Sequence, residues 1–171
     1  MKKLLVLMMA LVMTFSLAAC GGEADVVTPP ANQPEASVAD EQAKADADYV
    51  NLEDFLNRIV ENYTEQQEIV TLLEEVKSGQ KEESALLDAY RKLAEDSNGM
   101  LQDMENTTWE TNYYNDQVAA LNECVEVLAL YQQTLYEASA ENDASKLETV
   151  AELLNDFDAK LGAFLDAMGV E

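Results

Sequence analysis

The chain has 171 residues, with 34 Asp and Glu against 10 Lys and Arg, and no histidine. A formal charge of −24 argues against a basic face for nucleic acid or anionic head groups and would draw in cations or cationic partners. Without histidine there is no commonest general base, no usual zinc ligand and no Glu-x-x-His di-iron site.

The first element is an apolar run. Lys2 and Lys3 are the only charges before Cys20, and from Leu4 to Ala19 every residue is apolar except Thr14 and Ser16. The run is short for a spanning helix, which needs roughly 17–25 residues. It has the basic start, apolar middle and small-residue end of a secretory signal. An uncut N-terminal membrane anchor is the rival reading.

The end of that run, Leu17-Ala18-Ala19-Cys20, resembles the lipobox of bacterial lipoproteins. The resemblance covers residues 1–22 and extends no further. It implies that residues 1–19 are a signal peptide. A diacylglyceryl group would sit on the Cys20 sulfur, and Cys20 would begin the mature chain. A two-chain lipid holds a protein at a membrane where one chain alone holds marginally. The expected location is the extracytoplasmic face of a cell membrane, with the lysines on the cytoplasmic side.

Residues 20–46 read as a disordered acidic tether carrying Pro29, Pro30 and Pro34, with too few bulky apolar residues to order it. The alanine-rich stretch Ser37 to Asp46 leaves open how far back the first helix reaches. No proline follows Pro34, and apolar residues recur at helical spacing in four segments. The first runs from Asp48 to about Ser78, along Tyr49, Leu52, Leu56, Ile59, Tyr63, Gln66, Val70 and Leu73, flanked by Phe55, Ile69 and Val76. Gly79 stops it at the position of a left-handed cap. The second runs from about Glu82 to Glu105, along Leu86, Tyr90, Leu93, Ser97, Met100 and Met104. Gly99 inside it costs about 1 kcal/mol relative to alanine.

The third segment starts at Thr108 or Tyr113 and reaches Ala140. Thr107 and Glu110 have capping-box spacing, and Asn112 is the rival start. Its inner stripe includes Val118, Leu121, Cys124, Leu128, Tyr131, Gln132 and Leu135. Asn142 or Asp143 caps the fourth segment, Ala144 to Met168, which buries Leu147, Val150, Leu154, Phe157, Leu161, Phe164 and Met168. Four amphipathic helices joined by short polar turns predict an all-α, antiparallel up-down-up-down four-helix bundle over residues 47–171.

Three features are candidate sites. Tyr63, Gln66, Ser97, Tyr131 and Gln132 stand at core positions near one level of the bundle. They form either a small polar pocket or a hydrogen-bonded layer that sets register. Trp109, Tyr113 and Tyr114 gather at the tether end, where Tyr49, Met168 and Val170 belong. They form either a partner-binding tip or a plug for the core. The carboxylate pairs Asp156/Asp158, Glu74/Glu75 and Glu148/Glu152 lack calcium-loop spacing, so no metal is expected. Cys124, left without an intrachain partner if Cys20 is lipidated, reads as a small buried hydrophobe rather than an intermolecular disulfide.

No glycine-rich phosphate loop or Gly-x-Ser-x-Gly elbow is present, so no catalytic residue and no cofactor is expected. The function expected is a non-enzymatic, lipid-anchored module that binds or spaces another envelope component. The alternative is a small-ligand or cation binder using the polar layer of the core. The partners expected are the membrane, through the lipid on Cys20, and an envelope protein or cationic ligand, with no nucleic acid.

Overall fold

The computed structural model describes residues 35–170, with side-chain environments from Val38 onward. The signal-peptide segment with Leu17, Ala18, Ala19 and Cys20 lies outside the described residues. Four helices follow: α1 (Glu35–Lys77), α2 (Glu83–Asn106), α3 (Asn115–Ala140) and α4 (Leu147–Met168). A single 3-10 turn, Ala144–Lys146, leads into α4. Helix α1 begins immediately after Pro34, the last residue of the chain without an amide hydrogen. It takes in Glu35–Asp46, which composition assigned to the tether. Alanines at 36, 39, 43 and 45 supply the helix propensity.

Three helices end in the same way. Gly79 (φ 74°), Asn142 (φ 50°) and Gly169 (φ 71°) take left-handed conformations. Behind them Gln80 N donates to Glu75 O at 2.9 Å, Asp143 N to Ala138 O at 2.9 Å and Val170 N to Leu165 O at 3.0 Å. These six-to-one bonds satisfy carbonyls that a helix end otherwise leaves open. Asn142 therefore terminates α3, and Asp143 is the cap: its carboxylate accepts from Ser145 N at 2.9 Å.

The start of α3 differs from both expectations. The Thr107–Glu110 capping box does not form. Instead the Thr107 hydroxyl donates back to Asp103 O at 2.7 Å and closes α2. Residues 107–114 form a loop, and α3 starts at Asn115. The cause is a long-range acceptor on α1, described below.

Cross-helix pairs give the topology. Arg58 meets Asp103 and Glu65 meets Lys92, so α1 and α2 are antiparallel. Glu123 meets Lys160 and Gln117 meets the Ala167 carbonyl, so α3 and α4 are antiparallel. Asp48 meets Thr111 while Gln66 meets Tyr131, so α1 and α3 run the same way. The bundle is up-down-up-down, with each helix packed on the next.

The core joins Leu52, Phe55 and Ile59 of α1 to Met100 and Met104 of α2, then to Leu121 through Tyr131 of α3 and Val150 through Phe164 of α4. On α1 the buried stripe is Ala45, Asp48, Leu52, Phe55, Ile59, Asn62, Gln66 and Ile69, an unbroken alternation of threes and fours. It shares Leu52, Ile59 and Gln66 with the expected seam. Elsewhere it runs through the flanking Phe55 and Ile69 and through Ala45, Asp48 and Asn62, which the seam left out. Tyr49 is exposed, and Leu56 and Tyr63 are half-buried. On α4, Leu147 at the first position of the helix is exposed rather than buried, and the buried stripe begins one turn later at Val150.

Candidate functional site

Gln66, Tyr131 and Gln132 meet inside the bundle. Gln66 Nε2 donates to the Tyr131 hydroxyl at 2.7 Å. Gln132 Nε2 donates to Gln66 Oε1 at 3.0 Å and to Asn62 Oδ1 at 3.3 Å. Burial pushes the Tyr131 phenol well above its ordinary range, and nearby Tyr90 adds to this. Ser97 is fully buried but donates to its own helix, at Ala94 O, so it stands apart from the network. Tyr63 is half-buried at its margin, and burial and Asp158 push its phenol up.

Two buried polar atoms of this layer have no partner within the described residues: Asn62 Nδ2 and Gln132 Oε1. One is a donor and one an acceptor, and a buried group of either kind is costly to leave unpaired. Asn62 was absent from the expected layer. Its signal was its place four residues before Gln66 and three after Ile59, a spacing that Tyr63 obscured.

The second centre is at the other end of the bundle. Asp48 is 1% exposed. Its carboxylate accepts from Glu110 N at 2.8 Å, Thr111 N at 2.8 Å and the Thr111 hydroxyl at 2.7 Å. Burial pushes the carboxyl up, and the Thr111 hydroxyl and the two amides outweigh it, leaving Asp48 below the ordinary carboxylate range. This contact holds the 107–114 loop against α1. Trp109 and Tyr114 are half-buried and packed on the core, and Tyr114 meets Tyr49 with ring centroids 5.9 Å apart. Tyr113 is 68% exposed. The aromatic tip thus divides into two residues that close the core and one that faces solvent.

The third feature is two hollows between α1 and α2 whose linings share Glu65, which is paired across the helices with Lys92 at 2.6 Å. The first, of about 460 Å³, has Ile69, Leu72, Ala89 and Leu93 beneath Glu65, Glu68, Glu75, Lys81 and Lys92. The second, of about 370 Å³, is also lined by Glu65, with Arg58, Glu61, Asn62, Glu95, Asp96, Gly99 and Met100. No motif pointed to these hollows, because they depend on how two helices sit side by side.

Cys124 is fully buried and free, and burial pushes its thiol up to about 12. Among the described residues no group of three or more Cys, Asp or Glu side chains is placed to hold a metal ion. No helix among them is long and apolar enough to cross a membrane. No family model, curated protein or solved structure matches the chain.

Proposed function

We propose that this chain is a lipid-anchored, non-enzymatic helical module on the extracytoplasmic face of a bacterial membrane, where it binds or spaces another envelope component. The observation that carries the reading is Leu17-Ala18-Ala19-Cys20 at the end of an apolar run with a Lys-Lys start. An acidic bundle whose core polar groups largely pair with one another supports a binding or spacing role over a catalytic one. Mass spectrometry of the protein from its native host tests the anchor. A chain beginning at Cys20 with an added acyl mass is expected. A chain retaining Met1 to Ala19, or one beginning at Cys20 without that mass, refutes it.

One observation favours the second reading, a small ligand in the polar layer: the unpaired Asn62 Nδ2 and Gln132 Oε1. A ligand that donates and accepts there would raise the melting temperature with concentration. A panel of cations and polyamines that leaves the melting temperature unchanged rejects those ligands.

A further inference from the structure

The polar layer marks a change in how the bundle is packed. On its tether side, α1 gives the core Leu52, Phe55 and Ile59, and α2 gives it Met100 and Met104. On its other side the core continues through Ala138 of α3 and Val150 and Leu154 of α4, and takes in nothing from the Gly79 end of α1 and α2. None of residues 70–92 is buried. Val70, Leu72, Leu73, Val76, Leu86 and Leu87 are half-buried, so each gains only part of what full burial of an apolar side chain gives.

Polar contacts draw the same boundary. Lys92 pairs with Glu65 at 2.6 Å and with Asp96 at 3.6 Å, and Lys81 pairs with Glu75 at 2.9 Å. Lys77, Ser78 and Arg91 bond to Glu74, Glu75 and Asp88, all close by in the chain. Among the described residues, no side chain of residues 70–92 reaches α3 or α4 by a hydrogen bond or an ion pair. In the tether half, by contrast, Asp48 holds the loop before α3 and Gln117 holds the end of α4.

We infer that the hairpin end, residues 70–92, opens from α3 and α4 as a unit while the tether half stays folded, and that this opening is the gate to the polar layer. Segments with few buried apolar contacts open at a lower free energy than the whole molecule. Parted from α3 and α4, the helical stretches 70–77 and 83–92 are shorter than the roughly 12–15 residues that hold helix alone. Their amides therefore exchange when the hairpin opens. Tyr90 stands near Tyr131, so opening withdraws a side chain from the margin of the layer that holds the unpaired Asn62 Nδ2 and Gln132 Oε1. For the second reading above, this supplies the ligand's route of entry. The opening itself belongs to the fold, and loss of the lipid anchor would leave it standing.

Native-state hydrogen exchange on the full chain in non-ionic micelles tests the unit. Helical amides of residues 70–77 and 86–92 are expected to share one protection factor, about 100-fold below that of residues 52–59 and 121–128, and to depend less on urea. Ile59→Val is expected to lower protection in the tether half by about threefold to tenfold and to leave the hairpin unchanged, because its contacts persist when only the hairpin opens. Val125→Ala serves as a second variant with the same expectation. Equal protection in both halves, a gradient fading away from Gly79, or a variant that lowers both halves alike overturns the unit.

Thiol labelling tests the gate. Ser97 and Cys124 are both fully buried, one in the polar layer and one in the tether-half core. The Ser97 hydroxyl bonds only to its own helix, so Ser97→Cys is a mild change. In that variant the introduced thiol is expected to react with iodoacetamide about 100-fold faster than Cys124, read by peptide mass mapping. Equal rates at the two positions overturn the gate.

Discussion

Asp48 shows how one side chain sets the path of a distant loop. Three donors from Glu110 and Thr111 converge on a carboxylate that is almost wholly buried. Asp48→Asn replaces one acceptor with a donor facing those N–H groups. It should cost about 1–3 kcal/mol, measured by urea unfolding at neutral pH. The sign of the pH dependence follows from the lowered pKa. A carboxyl depressed in the folded state stabilises fully above its unfolded pKa, about 3.9, and loses that contribution as pH falls through the folded value. Acid unfolding of the native chain should therefore be steeper below about pH 4 than that of Asp48→Asn. The core amides make a second case. Gln132→Leu strips a donor from both Gln66 Oε1 and Asn62 Oδ1 and should destabilise by about 1–3 kcal/mol. Replacing Asn62, Gln66 and Gln132 together by leucine should cost less than the separate changes summed, because fewer buried groups are left unpaired.

Helices are legible from periodicity because burying one face imposes a repeat near 3.6 residues. Which residues share the buried face of α1 was harder to read. Two stripes pass through Leu52, Ile59 and Gln66. One takes Tyr49, Leu56 and Tyr63; the other takes Asp48, Phe55 and Asn62. Sequence hydrophobicity favours the first, and the bundle uses the second, because Asp48 and Asn62 find partners on the α2–α3 loop and on α3. Polar residues enter a core when hydrogen bonds await them there, and those partners lie more than sixty positions away. The same contact displaces the start of α3 from Thr108 or Tyr113 to Asn115. Within α2, Gly99→Ala should raise stability by about 1 kcal/mol, since open space receives the added methyl. A melting temperature that falls in this variant would show that the glycine serves the fold.

At the scale of the molecule, charge opposes compaction. With 34 acids against 10 bases, the carboxylates repel one another more than the ion pairs attract. Most of those ion pairs are surface contacts worth little each. Raising sodium chloride from about 0.02 to about 0.5 M shortens the screening length and should raise the melting temperature. A fall would mean that the exposed pairs, such as Lys160–Glu123 and Lys146–Glu141, dominate the balance.

The helical class, the four segments, the left-handed stop at Gly79 and the absence of histidine chemistry are properties of local pattern and composition, so the chain alone determined them. Residues three and four apart face one way on any helix, whatever that helix later meets. The choice between two equally periodic stripes on α1 belonged to the tertiary structure. So did the inclusion of Asn62 in the core layer, the docking of the 107–114 loop on Asp48 and the hollows between α1 and α2. Each of these turns on groups that are remote along the chain and adjacent only after the helices pack, and short-range spacing carries no information about such neighbours.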